Sequence, residues 1–354
     1  MRIGIDALQL AYREFSGIEN YVSNLIKEFK KLGAEKDLLI YDHPLFINPA
    51  FSRHFILPIM MNADQLEVAH FPDHILPLLP VKARKVITVH DLAFVKFPWF
   101  FSWAKRIHKI LLTARSVRLA DRIIVPSEST WRDLIEIYGT PGKKIEVIPH
   151  GIAEIFRPQS RNAAERKQVF NKYGFNFERF ILFVSTLEPR KNLKTLLEAY
   201  ELIAKERRDL GLVICGKPGW LYKEDLERIK TLSRQGRAVY LGHVADDQLV
   251  EIYNLAEVLV YPSFYEGFGF PPLEAMACGI PVIASRISSL PEMLSDAACW
   301  VDPNDASQIK DAILKVIDDK IFKEKLIKQG LEQAKKFTWQ ASAKRTLEVY
   351  RNVG

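Results

Sequence analysis

Two glutamates eight residues apart, Glu266 and Glu274, lie in the stretch PSFYEGFGFPPLEAMACGIPVIAS at residues 262–285. Their spacing alone says little, because Glu128/Glu136, Glu146/Glu154, Glu198/Glu206 and Glu324/Glu332 share it. In a continuous helix, positions eight apart would sit about 80° from one another around the axis. Context separates this pair. An apolar β-branched run at 258–261 feeds a loop holding Glu266, Gly267, Phe268 and Gly269. Pro271 and Pro272 suit the first turn of a helix, where a missing N–H costs nothing. Glu274 falls just inside that helix, and Gly279 and Pro281 end it. A strand, a glycine-rich turn and a helix N-terminus gather backbone N–H groups and the positive end of the helix dipole, which makes an anion site. Carboxylates belong beside such a site if they accept hydrogen bonds from hydroxyls, and a sugar nucleotide carries both phosphates and hydroxyls.

A second constellation follows the apolar run FILFV at 180–184. It consists of Ser185, Thr186, Arg190 and Lys191, and a helix over 193–205 begins at once. Two cations beside a helix N-terminus are costly unless an anion joins them, and a diphosphate is the matching guest. There they would stabilise a departing nucleoside diphosphate in place of a metal ion. A third candidate is His90, which the run KVITV at 85–89 delivers with Asp91 to its C-terminal end. That edge is where ligands bind in open α/β sheets. Gly17, in the Ser16–Gly17 turn between the first strand and first helix, would let a backbone approach a substrate closely.

The elements that must position these residues alternate. Strands are expected at 2–6, 37–41, 54–57, 66–71, 85–89, 122–125 and 144–148, with Pro-rich connectors among the early ones. Tyr21, Val22, Leu25, Ile26 and Phe29 recur at helical spacing, and Ser127 caps a helix running to about Tyr138. The chain leaves a first domain near His150-Gly151. Residues 156–168 read as a linker and first helix. Strands follow at 180–184, 212–215, 239–241, 258–261 and 281–284, and Asp246 is expected to cap a helix reaching Ala256. The tail is helical at 305–318, 321–336 and from Trp339 to about Asn352. Short loops between alternating strands and helices imply doubly wound parallel sheets.

Composition sets outer bounds. The 354 residues suggest two domains, and nearly half are hydrophobic. Three scattered cysteines, Cys215, Cys278 and Cys299, form no C-x-x-C pair and read as reduced, buried and cytosolic. Met1 runs straight into a strand, with no signal peptide, and no apolar run reaches the ~18 residues that span a bilayer. The net charge of +7 admits nucleic acid, an anionic membrane or a phosphorylated substrate. No nucleic-acid module and no zinc spacing are present. Residues 92–120 hold no acid, and six cations alternate there with Phe94, Phe97, Trp99, Phe100, Phe101 and Trp103. That mixture suits an anionic membrane surface or a polyprenyl-phosphate-linked acceptor, or else a helix packed into its own domain with its cations solvated.

The stretch at 262–285 resembles the two-glutamate motif of family 4 glycosyltransferases, retaining enzymes of GT-B architecture. ADRIIVPSEST at 120–130 and VIPHGI at 147–152 resemble family sequences at matching places. The resemblance implies two Rossmann-like domains facing a cleft, an acceptor domain at 1–155 and a nucleotide-sugar donor domain at 156–337. A last helix at 338–354 would cross back to the first domain, anchored by Trp339, Leu347 and Tyr350. It implies that Glu266 contacts the donor sugar, Glu274 the ribose and His90 the sugar. Lys191 would meet the diphosphate, Val244 would line the base through its main chain, and the 267–269 backbone would donate to sugar or phosphate oxygens. The family often has an arginine where Thr186 stands, and Arg190 offers a guanidinium nearby. It also often reads Gly-x-Gly-Arg-Tyr where this chain keeps Gly17 but has Glu19 and Asn20. SSLPEML at 288–294 is similar to bacterial enzymes using GDP-mannose.

The expectation is therefore a retaining, metal-independent hexosyltransferase. It would move mannose from GDP-mannose, or a hexose from a UDP- or dTDP-sugar, onto a saccharide or lipid-linked saccharide for cell-surface glycan. It would act in the cytoplasm, peripheral to the inner membrane face, without nucleic acid. Same-face attack and a glutamate nucleophile both stay open. An epimerase or hydrolase of the same fold would need an acid/base set beyond His90. A glycosidase needs two carboxylates flanking one bond at ~5–10 Å, without a diphosphate site. A basic nucleic-acid binder rests on charge alone.

Overall fold

The computed structural model describes residues 1–12, 17–43, 48–101, 103–160 and 162–353. Ser16, and the side chain of Lys105 in the basic aromatic stretch, lie outside the described residues. The chain divides into two compact units, Met1–Gly151 with Phe337–Gly354, and Ile152–Lys336.

In the first unit, six strands form one sheet: β1 (Ile3–Asp6), β2 (Leu38–Tyr41), β3 (Val68–Phe71), β4 (Arg84–Thr88), β5 (Arg122–Val125) and β6 (Ile145–Val147). All pairings are parallel and the order is β2-β1-β3-β4-β5-β6. Every residue of β1 and β3 is buried, as a sheet with helices on both faces requires. The order reverses between β1 and β3, which opens a crevice at their C-terminal ends. Ser127 caps the helix Glu128–Tyr138 by accepting from Thr130 N–H, and Gly139 ends it at φ 61°. The last helix, Trp339–Val353, buries Trp339, Leu347 and Tyr350 in this unit. A methyl group on Gly151 would run into the Trp339 backbone, so only glycine lets that helix start where it does.

One expected strand of this unit is a helix. Residues 54–57 sit in a π-helical turn, Ser52–Ile56, that runs into the α-helix Leu57–Ala63. The apolar, partly β-branched run HFILPIMM imitates a strand broken by proline. Instead Pro58 occupies the first turn of a helix, where it lacks nothing the helix needs, and Asn48 starts the segment by accepting from Ala50 and Phe51 N–H.

The second unit carries β7 (Arg179–Val184), β8 (Leu210–Cys215), β9 (Ala238–Gly242), β10 (Val258–Tyr261), β11 (Val282–Ser285) and β12 (Ala298–Val301). They form a parallel sheet ordered β12-β11-β10-β7-β8-β9, whose order reverses between β7 and β10. Its core joins Ile181, Phe183, Ile214 and Val260 to apolar faces of the helices Leu193–Glu206 and Ala306–Asp318. Asp246 does not cap its helix. Ala245 is the N-cap and no side chain closes the end, because Asp246 is already the first helical residue of Asp246–Tyr253. Cys215 and Cys278 are buried, but Cys299 is half-buried. Among the described residues, no helix is long and apolar enough to cross a membrane.

Candidate functional site

The turns after β7 and β10 are laced together. Phe264 N–H donates to the Arg190 carbonyl at 2.8 Å, and Ser263 Oγ reaches the same carbonyl at 3.1 Å. Asn192 adopts φ 57° and its buried amide donates to the Pro262 and Pro303 carbonyls. This stitching brings Lys191 onto Glu266, 75 residues away in sequence. Lys191 Nζ lies 2.7 and 2.9 Å from the two carboxylate oxygens. Tyr261 and Ser263 hydroxyls donate to Oε1 at 2.8 and 2.7 Å, and Arg190 lies 3.4 Å from Oε2. Burial alone would raise the Glu266 pKa, but the Lys191 and Arg190 charges outweigh it and hold the carboxyl below the ordinary range.

The two cations do not wait for an anion from outside. Arg190 pairs with Glu188 at 2.7 Å and donates to the Tyr265 carbonyl, while Lys191 pairs with Glu266. Two carboxylates neutralise two cations, which answers the burial cost that the sequence assigned to a bound diphosphate. The helix Phe270–Ala277 is likewise a poorer anion site than its position suggests, since Pro271 and Pro272 remove two of its first-turn N–H groups.

Glu274, buried inside that helix, accepts from the Tyr253 hydroxyl at 3.0 Å. Burial pushes its pKa up to about 8, the Tyr253 bond opposes the rise and the Asp246 carboxylate adds to it. Val244, half-buried, lies two residues before Asp246 on the same strand exit. Ser185 is buried at the end of β7, and Thr186 beside it is half-buried. Gly267, Phe268 and Gly269 are all buried. Gly269 takes φ 99° as N-cap of the helix. Ser289 donates to the Glu266 and Phe268 carbonyls, and Ser288 accepts from Glu266 N–H. Tyr253, Tyr261, Ser263, Ser288, Ser289 and Glu188 thus hold the loop, and no sequence motif marked them for that work. The pairing of SSLPEML with the loop is visible only in space.

His90 and Gly17 belong to the first unit. His90 is half-buried, and burial lowers its pKa despite the Pro72 carbonyl and the Asp73 and Asp91 carboxylates. Its Nε2 lies 3.1 Å from the Pro72 carbonyl, so that nitrogen carries the proton. Nδ1 then accepts from His150 Nε2–H at 3.2 Å. Both ring nitrogens therefore have protein partners. His150 and His70 are also held neutral by burial, and His70 bonds Thr88 Oγ1 and the Tyr350 hydroxyl. Gly17 opens the helix Gly17–Lys31 at an ordinary φ, and a side chain there would meet open space. Backbone sterics do not demand glycine at this position.

In the 92–120 stretch, Phe94 is buried in the core, whereas Trp99 and Trp103 are 67 and 72% exposed. A cavity of about 1200 Å³ lies elsewhere, between the helices Leu193–Glu206 and Lys223–Arg234. It is an open groove whose Arg228 is already paired with Glu198 and Glu201. Among the described residues, no three histidine, cysteine or carboxylate groups gather as a metal ion would need.

The sequence matches the family described as Glycosyl transferases group 1 over residues 165–333, and Glycosyltransferase Family 4 over 15–154. It is 34% identical over 269 residues to O-antigen chain mannosyltransferase B of Escherichia coli, covering 76% of this chain and 70% of that protein. It spans only 28–29% of the length of serotype-specific mannosyltransferases of that organism, at 33% identity. Sucrose-phosphate synthase from Thermosynechococcus elongatus superposes with a TM-score of 0.77 at 21% identity, covering 99% of this chain and 98% of that one. HepE of Anabaena, solved in complex with UDP and glucose, also gives 0.77, at 16% identity over 99% of both chains. These structures share the GT-B fold with this chain.

Proposed function

The chain belongs to the group 1, family 4 glycosyltransferases, and we propose that it moves mannose, with retention and without a metal ion, from GDP-mannose to a saccharide or lipid-linked saccharide of the cell surface. The observation that carries this reading is the contact of Lys191 with both oxygens of Glu266, at the reversal point of the second sheet. The choice of mannose leans on the 34% identity to a mannosyltransferase.

The residues divide the work by their bonds. Oε1 of Glu266 is held by Tyr261, Ser263 and Lys191, whereas Oε2 meets only the cations Lys191 and Arg190 and takes a sugar hydroxyl when Lys191 turns to the diphosphate. When a diphosphate enters, Lys191 swings part of its charge onto it, and Glu266 keeps its two hydroxyl donors. Arg190, tied to Glu188 and the Tyr265 carbonyl, braces the loop. Ser185, Thr186 and the 267–269 backbone border the phosphates, Glu274 takes the ribose hydroxyls, and the Val244 main chain meets the base. His90 contributes by exchanging its Pro72 bond for a sugar hydroxyl, and Gly17 leaves room for substrate. The bond between the anomeric carbon and the β-phosphate oxygen breaks as the acceptor oxygen bonds the same face. The acceptor proton passes to the departing diphosphate. A carboxylate held ionised by two cations is a weak nucleophile, which favours this route over a glutamyl intermediate. The cations replace the metal's electrostatic role. We place the enzyme in the cytoplasm, touching an anionic membrane through residues 92–120.

The test is a thermal-shift panel of GDP-, UDP- and dTDP-sugars with the bare diphosphates. GDP and GDP-mannose should stabilise the protein most, and Lys191→Ala should lose the shift. Transfer should survive a chelator and give a product of the donor's anomeric configuration by NMR. No stabilisation by any nucleotide at millimolar concentration would overturn the reading, and an inverted product would overturn retention.

A further inference from the structure

The first unit has its own reversal point, between β1 and β3, and polar side chains converge there without serving the sheet. Asp6 ends β1 and is 1% exposed. Arg53 Nε lies 3.1 Å from Asp6 Oδ2, and its NH1 lies 3.8 Å from Asp73, just beyond β3. Asp73 holds His74 Nδ1 at 2.6 Å. His74 Nε2 and His54 Nδ1 are buried atoms with no hydrogen-bond partner among the described residues. Arg53 and His54 stand in the π-helical turn Ser52–Ile56, a wound-open geometry that recurs at functional sites. They line a cavity of about 310 Å³ with Asn48, Ala50 and Ile75, at the small end of the range that ligand pockets occupy. The carbonyl next to Asp73, that of Pro72, is the partner of His90.

We propose that Arg53 and His54, with Asp73 and His74 next to Arg53, form a subsite for a neutral, hydroxyl-bearing sugar ring of the acceptor, adjoining His90. The inference rests on the glycosyltransferase reading and names what that reading leaves blank. A buried nitrogen without a partner is costly, and a hydroxyl from outside satisfies it as donor or acceptor. A carboxylate with Arg beside it takes a vicinal pair of hydroxyls in the same way. The charge balance selects against a phosphate. Arg53 is answered by Asp6 and Asp73, and His74 by Asp73, so no surplus positive charge is left there to hold a phosphate. Burial opposes but does not defeat the His74 and Arg53 charges, which hold Asp73 far below the carboxylate range and keep it an acceptor.

The full-length protein should give saturation-transfer NMR signals from the ring protons of methyl α-D-mannopyranoside, undiminished by millimolar inorganic phosphate. Asp73→Asn and, separately, Ala50→Trp, which fills the cavity from an exposed position, should weaken that binding about tenfold, the size of one charged hydrogen bond. The GDP thermal shift, read on the same samples, should not move. Displacement of the sugar by phosphate, equal signals in the wild type and both variants, or no signal from the wild type would each overturn the subsite. Failure of the nucleotide shift in the wild type would instead strike the donor reading, so the two failures are told apart.

Discussion

The two glutamates of the loop are alike in sequence and opposite in the folded chain. Glu266 lies among two cations and two hydroxyls, and its charged form is stabilised. Glu274 has one hydroxyl and a neighbouring carboxylate, and its neutral form is favoured up to about 8. Because the unfolded value is near 4.5, Glu274 contributes stability fully below that pH and loses it as pH rises through 8. Taking a ribose hydroxyl on each oxygen, with no O–H of its own in the way, is the work of the ionised form, so nucleotide binding should release a proton. Affinity for GDP should therefore rise between pH 6 and 8, by up to about tenfold per unit, while unliganded stability falls. Glu274→Gln should flatten both dependences. Titration calorimetry in buffers of different ionisation enthalpy reads the proton directly, and an unchanged slope in the variant would refute the assignment.

At the scale of elements, the exits of β7 and β8 interlock through their own backbones. Gly216, at φ 145°, lies so close to β7 that an added methyl would land on the Ser185 carbonyl. Leu187 N–H donates to the Lys217 carbonyl and Gly219 N–H to that of Leu187. Gly174 also has positive φ but faces open space. Gly216→Ala should thus cost about 3 kcal/mol, the sum of backbone strain and overpacking. Gly174→Ala should cost only about 1 kcal/mol. Urea unfolding of the two variants measures the difference. Equal losses would mean that the β7–β8 exits yield easily and do not hold the 185–191 turn in place.

At the scale of the molecule, the exposed apolar side chains concentrate in the first unit. Trp99, Trp103 and Leu111 belong to the basic stretch, and Ile59, Met60, Leu78 and Leu79 add to them from elsewhere in sequence. Arg115 joins these segments by donating to the Pro77 and Leu78 carbonyls, as does Leu79 N–H by donating to the His54 carbonyl. Not all the charge is available to a membrane, since Lys96 is taken up by Asp133 and Glu136. Aromatic and leucyl side chains at the headgroup level with cations around them bind anionic bilayers. The protein should float with phosphatidylglycerol vesicles and not with phosphatidylcholine alone, and the double variant Trp99→Ser, Trp103→Ser should stay behind. Indifference to lipid charge would mean that the tryptophans cover a protein partner.

The doubly wound class and nearly all of the strands are legible in the residue order, because buried parallel strands are continuous apolar runs and glycines and prolines mark their exits. The sequence also carried the family, chiefly through the stretch at 262–285 and with it the runs at 120–130 and 147–152. It misjudged 54–57, where an apolar run with a proline reads alike as strand or helix, and it placed Asp246 one residue outside its helix. The side-chain partners emerge only in the folded chain. Lys191 meets Glu266, Ser288 and Ser289 hold the Glu266 loop, and Asp6, Arg53 and Asp73 converge because the strand order of each sheet reverses at one point. Strand order is set by the packing of whole elements, and no short stretch of residues encodes it. The protonation of Glu266 and Glu274 follows from that same packing, since a carboxyl's charge depends on what surrounds it in space.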